Sequence, residues 1–481
     1  MKKLKEYFQL EYLFYLFLVI SPFLDSFSYL FRVWNQDAFL SPTTILRLVI
    51  PAFLVFFLFI KEKKCRRDLI ILGTVYFSYA FFHLLCYQKF LTKSAYGSVF
   101  HEAQYIFNYT YMILIFYTCY ILAKKGKMRF LYQATTLFLA SYVFLLYLAL
   151  ITGTSSSTYI DGVGYKGWNA SGNAVGSLLL ISLVILLPYF LEKKKWYHFV
   201  LVVATGVYLM MFLGTRVGLL GFPFLLFAYL ICYLLGRREK KRFSRRTIIL
   251  SCLIGIAVLA ASVFLVSHSS TLKRQKNLLK EQNEVVDQDK KEVSHITGDA
   301  LDYIKEIEEG KMDSSFMDLN QQKSLVEMKK FADKIELDNS KRRIQQLVYH
   351  TYLVKNQKSL SRILFGNGYL SNYSEMTLEM ELLSLLYNFG IFGFVLYLGG
   401  FILLEMRALV TLIQNFKRRN TTYLFYLFGV LLVYLLSLMA GYTFFHVSSM
   451  VVIVLLHILL SVEQEKLSLK VEKGLDSGGV L

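Results

Sequence analysis

The sequence predicts an all-α polytopic membrane protein of about 12 transmembrane helices, with one large, mostly helical extracellular loop between helices 9 and 10. Three observations carry this. Apolar residues lie in blocks of about 20, the length of α-helix that crosses a bilayer. Hydrophobic residues make up 55% of the 481 and charged residues only 18%, whereas about a quarter of an average soluble domain is charged. The basic residues alternate from loop to loop.

The spans read as residues 12–31, 42–60, 69–88, 104–123, 130–152, 173–191, 198–213, 219–236, 248–267, 382–405, 422–443 and 449–462. The first run is long, lacks a small-residue cleavage site and is followed by many more, so it is expected to be a span rather than a signal peptide. Alternate loops carry Lys2, Lys3 and Lys5; Lys61, Lys63, Lys64, Arg66 and Arg67; Lys124, Lys125, Lys127 and Arg129; Lys193, Lys194 and Lys195; the run from Arg237 to Arg246; and Arg407, Lys417, Arg418 and Arg419. The intervening short loops hold only Arg32, Lys89, Lys93, Lys166 and Arg216. This positive-inside pattern puts both termini in the cytoplasm. The net charge of +19 is then explained by topology and by anionic lipid. No nucleic acid partner is needed.

Residues 1–267 would hold helices 1–9, 268–381 the extracellular loop subdomain, 382–462 helices 10–12 and 463–481 a cytoplasmic tail. The loop has helical composition at 272–292, 300–309 and 323–358, with no Pro and no Gly/Ser tract, which favours an ordered helical cap. The five cysteines form no CxxC and are read as buried thiols. No Walker loop, dinucleotide fingerprint, HExxH or G-x-S-x-G occurs, so ATP coupling and serine-hydrolase chemistry find no support.

What remains is a set of polar residues at the outer side. Arg216 lies in a very short hairpin, Gly214-Thr215-Arg216-Val217-Gly218-Leu219-Leu220, against the charge bias. It reads as a guanidinium held to grip a phosphate bidentately, or as an interfacial Arg reaching lipid phosphate. Ser340-Lys341-Arg342-Arg343 precedes a turn, Gly366-Asn367-Gly368. Glu379 leads into the tenth span. At 100° per residue, Gly390 falls about 20° and Gly393 about 40° from Glu379, while Glu381 falls about 160° away. On that arithmetic Glu379 faces the bundle beside two small residues, as a functional carboxylate or as an interfacial cap, and Glu381 faces elsewhere. Asp25 and Arg47 each lie about 9 Å inside a span, where lone charges are costly. They pair, or Arg47 faces a substrate cavity, to which Asn173 at the start of the sixth span would also belong.

These motifs resemble those of the O-antigen ligase and Wzy-type polysaccharide polymerase superfamily of bacterial membrane glycosyltransferases, over most of the chain. Arg216 to Leu220 fits the ligases' Arg-x-x-x-Leu. Glu379-Met380, nine residues, then Gly390-x-x-Gly393 has the spacing of their His-[Asn/Ser/Gln]-x9-Gly-x-x-Gly, with Glu in place of His. Ser340 to Arg343 and Gly366 to Gly368 resemble the family's Ser-Gly-Arg and Gly-x-Gly, in register with either Arg342 or Arg343. Gly167 to Asn173 resembles its Asn-rich lead into the middle spans.

The resemblance implies a transferase in the bacterial cytoplasmic membrane that uses undecaprenyl-diphosphate-linked oligosaccharide as donor and acceptor, without cofactor or metal. It implies Glu379 as catalytic base, and Arg216, Arg343 and Arg342 as diphosphate-binding residues. Flippase and chain-length regulator of the same pathway are the implied protein partners. The His-to-Glu departure favours a polymerase of surface polysaccharide over a ligase. The alternatives are a ligase acting on another acceptor, a lipid-linked oligosaccharide flippase and a non-catalytic scaffold. Transporters usually show two related halves, and none is visible here.

Overall fold

A computed structural model of the chain describes residues 10–34, 42–90, 99–159, 162–236, 269–276, 296, 299–337, 341–368, 376–416 and 420–476. The expected ninth span at 248–267, the basic run at 237–246, most of the helical segment at 272–292 and Ser340 lie outside the described residues. The first helices are α1 (Leu10–Trp34), α2 (Pro42–Lys61), α3 (Arg66–Phe90), α4 (Val99–Lys124), α5 (Met128–Ile151), α6 (Gly172–Lys193), α7 (Trp196–Val207) and α8 (Arg216–Leu235). After α8 come α9 (Asp299–Glu308), α10 (Leu319–Lys334), α11 (Arg342–Gln357) and the short α12 (Leu360–Phe365), then α13 (Glu381–Gln414), α14 (Thr421–Met439) and α15 (Val447–Asp476). Among the described residues no strand forms, only an isolated antiparallel bridge between Ser157 and Tyr165. Nine of the described helices are long and apolar enough to cross a membrane; α2 and α7 are further apolar helices.

Hydropathy measures bilayer thickness and not helix length. Hence α13 and α15 run past their expected ends at 405 and 462, to Gln414 and Asp476. Charged residues leave the bilayer without ending a helix. The five prolines all lie in membrane-side helices. Pro22, Pro51, Pro188 and Pro223 lie inside helices and Pro42 opens one, as a bundle tolerates when neighbours resatisfy the backbone.

The core is built on α6 and α15, whose apolar windows are 83% and 78% buried. They pack on each other and on α14, and α15 also packs on α4 and α13. Between α8 and α13 a second apolar core forms around Ile304, Met317, Leu325, Met328, Tyr349 and Leu353. The segment 323–358, which reads as continuous, divides into α10 and α11. Glu336 takes φ 47°, and Leu337 turns inward after it.

The two ends of the bundle differ. At one, Lys127 pairs with Glu11 at 3.5 Å and Lys125 with Glu62, gathering the basic loops. At the other, the Ser156 hydroxyl donates to Tyr29 at 2.6 Å, Tyr165 N–H donates to Phe212 O at 2.8 Å, and Asn173 reaches Ala440.

Candidate functional site

At this second end the chain between α14 and α15 dips into the bundle, and everything else is arranged around it. Gly441 (φ 70°) and Tyr442 (φ 56°) reverse the chain in the left-handed region. A Cβ on Gly441 would lie 2.9 Å from the Glu379 carbonyl oxygen, so glycine is required there. The reversal leaves three successive N–H groups without helical partners. Glu381 takes all three: Oε2 accepts from Thr443 at 2.8 Å and Phe444 at 2.9 Å, and Oε1 accepts from Phe445 at 2.9 Å. Convergent backbone N–H groups make such an anion nest. The carbonyls just before the turn are held too. Arg343 Nη1 donates to Met439 O, Arg343 Nη2 to Ala440 O at 3.4 Å, and Asn173 Nδ2 to Ala440 O at 2.6 Å.

Glu379 does not lie on a helical face. α13 begins at Glu381, with Met380 extended before it, and Gly390 breaks helical geometry at φ 69°, ψ −175°. Periodicity does not reveal where a helix starts or where it kinks, and a count of 100° per residue does not hold across non-helical backbone. Glu381, placed on the far side by that count, is instead only 1% exposed inside the bundle. Glu379 is half-exposed and bonded to Arg343, Nε to Oε2 at 3.0 Å; Oε1 has no partner among the described residues. Of the two adjacent arginines, Arg343 faces the bundle and Arg342 is exposed.

The glycine motif has a packing role. The kink at Gly390 frees helical carbonyls, and the Gly366-Asn367-Gly368 turn fills the gap. Asn367 N–H donates to Tyr387 O and Gly368 N–H to Asn388 O, both at 2.9 Å. Beneath the turn His83 bridges Glu102 at 2.7 Å and Phe365 O at 2.6 Å.

Arg216 is the first residue of α8. The Thr215 hydroxyl caps that helix, accepting from Gly218 N–H at 3.0 Å. A π-helical turn, Tyr208–Phe212, ends α7 just before it, and such turns are frequent at functional sites. Thr158 and Ser270 brace the hairpin by donating to Leu213 O at 2.7 Å and Met211 O at 3.0 Å. The Arg216 side chain is exposed, with no ion pair among the described residues. Thr215 lies against Gly172 and Gly176 of α6. Thus the first turn of α6 separates Arg216 from Ala440, where Asn173, Arg343 and Glu379 meet. The structure brings the last three into one network and places Arg216 alongside without bonding it to them.

Arg47 belongs to a deeper layer and pairs with Asp25. The other Asp25 oxygen accepts from Tyr142 at 2.9 Å and from Ser448, and Tyr142 also contacts Asn169 Oδ1 at 2.8 Å. His446, at the end of the reversing segment, lies within electrostatic reach of Asp25 and Arg47. Sequence reasoning missed His446 and the role of Glu381. A usable signal was present: Thr443, His446, Ser448 and Ser449 crowd polar atoms between two apolar runs. On α11, burial pushes the His350 imidazole down to about 4 despite a hydrogen bond to Met376 O. Among the described residues no group of three or more His, Cys, Asp or Glu is placed to share a metal ion.

An all-α membrane bundle with a polar network of Asn173, Arg343 and Glu379 at one end defines a class of polytopic membrane proteins. The sequence profile described as O-antigen ligase like membrane protein matches residues 5–466, and the chain belongs to that family. No curated protein matches the chain. Membership makes it a multi-pass, glycan-transferring membrane enzyme acting on lipid-linked glycans.

Proposed function

We propose that the enzyme is a polysaccharide polymerase. It joins undecaprenyl-diphosphate-linked oligosaccharide repeats into capsular or exopolysaccharide at the outer face of the bacterial cytoplasmic membrane. Both termini lie in the cytoplasm, residues 268–381 form an extracellular cap, and a flippase and a chain-length regulator work beside it. The observation that carries the reading is the Glu379–Arg343 pair at 3.0 Å against the reversing segment, with one carboxylate oxygen open.

In the reaction the acceptor hydroxyl oxygen bonds to the donor's anomeric carbon. The bond from that carbon to the phosphate oxygen breaks, and the lipid diphosphate leaves with the electron pair. The hydroxyl proton passes to Glu379 Oε1. A base of this kind contributes about 10²–10⁴-fold. The leaving group is already anionic and needs no acid. Its developing charge is met by Arg216, whose exposed guanidinium offers the planar fork a diphosphate favours. Arg343 adds positive charge and holds Glu379 in place, while Arg342 stands at the rim.

Glu in place of His supports polymerase over ligase. Purified protein given one defined lipid-linked repeat should yield a ladder of products. Transfer of a single repeat to a different acceptor, without a ladder, would make it a ligase. Retained binding of lipid-linked glycan with no transfer of any kind would favour a flippase. Cysteine labelling of intact cells should reach residue 318 and not residue 241; the reverse would overturn the topology.

A further inference from the structure

We infer that His446 is a substrate-binding residue that donates a hydrogen bond, through Nε2–H, to a hydroxyl of the bound glycan. The inference deepens the proposed function by naming the chemistry of one subsite. His446 precedes α15, and Nδ1 faces the Ser449 backbone N–H at 3.4 Å and the Ser449 hydroxyl at 3.3 Å. A backbone N–H only donates, so Nδ1 is the accepting nitrogen and the neutral ring carries its proton on Nε2.

Nε2 makes no hydrogen bond among the described residues, although the side chain is half-buried. Buried polar atoms without any partner, such as both amide atoms of Asn367, occur elsewhere. His446 Nε2 is not one of them and keeps some accessible surface. Asp25 and Arg47, which pair with each other, lie within electrostatic reach of the ring, and the Asp25 carboxylate also accepts from Tyr142 and Ser448. A second anion is poorly received here, because the Asp25 carboxylate already occupies the guanidinium and would repel a phosphate. A sugar hydroxyl is suited to a neutral N–H donor beside a satisfied ion pair. With Nδ1 accepting, His446 is not the base, which leaves that role to Glu379.

A structural alternative exists, since the Ser449 N–H contact is also a helix cap. Two substitutions separate the roles. His446→Asn puts an accepting oxygen near the Nδ1 position and keeps the cap but has no donor at Nε2. His446→Gln reaches the Nε2 position with an N–H but weakens the cap. The probes are the lipid-linked oligosaccharide extracted from cells lacking this activity, and undecaprenyl diphosphate without sugar. Binding is measured with purified protein, so the result does not depend on whether the enzyme polymerises or ligates.

The expected result is that His446→Asn keeps Tm but binds the lipid-linked oligosaccharide about 10-fold more weakly. His446→Gln should stay within about 3-fold of the unaltered protein for that probe. Both should bind undecaprenyl diphosphate as the unaltered protein does. Normal oligosaccharide binding by His446→Asn, or equal loss of affinity for both probes, would overturn the inference.

Discussion

The reversal between α14 and α15 depends on one carboxylate, and removing it gives a quantitative test. Glu381 is 1% exposed and accepts three backbone N–H groups from Thr443, Phe444 and Phe445 at 2.8–2.9 Å. In Glu381→Ala all three donors lose their acceptor inside the bundle. At about 1–3 kcal/mol per unsatisfied donor, less what local relaxation recovers, the loss is about 3–6 kcal/mol. Glu381→Gln keeps one accepting oxygen. If that oxygen takes the Oε2 place, two donors are retained and the amide group opposes the third, for a loss of about 2 kcal/mol. The carbonyl that Arg343 and Asn173 share belongs to the same segment, so transfer falls along with stability. Thermal unfolding in detergent, followed together with product formation, should rank Ala below Gln and Gln below the unaltered protein in both measures. This reverses the sequence expectation that Glu381 faces away from the bundle side of the helix. If Glu381→Ala left Tm and transfer unchanged, the carboxylate would not be what organises the segment.

Four further outcomes are expected. Glu379→Gln, half-exposed and outside any helix, should leave Tm nearly unchanged and retain lipid-linked glycan binding while turnover falls about 10²-fold or more, measured by parallel binding and product assays. Arg216→Lys should bind the lipid diphosphate poorly, because a point charge lacks the planar fork; undiminished affinity would remove Arg216 from the site. Gly390→Ala should lower Tm and expression by the equivalent of more than about 2 kcal/mol, since φ 69°, ψ −175° is essentially a glycine conformation and the new Cβ would sit 2.5 Å from Gly366 N and Leu364 O. The fourth concerns pH. His350 is held neutral by burial, down to about 4 from 6.5. The unfolded chain takes up its proton first as pH falls. This contribution is therefore fully present above about 6.5 and is lost between there and about 4, amounting to about 3 kcal/mol. Tm compared at pH 7 and pH 4.5 should show the loss, and His350→Phe should reduce it.

The sequence by itself determined the membrane bundle. Each apolar block and each basic loop is a local property that adds along the chain, so α1, α3–α6, α8, α13, α14 and α15 begin within a few residues of the positions that hydropathy marks. Arg343, Glu379 and Asn173 were also legible, because the motif spacings that single them out are linear. Their geometry was not. Periodicity puts Glu379 on a helical face although α13 starts two residues later, and turns Glu381 away although it is the buried carboxylate. Only the tertiary structure decided these points. Thr443 lies 62 residues from Glu381, and Met439 lies 96 from Arg343, so periodicity carries no trace of their pairing. A reversing segment exposes its N–H groups only once it is buried between helices. What satisfies them is then set by whichever carboxylate the packing brings near, a choice made across the fold and not along the chain.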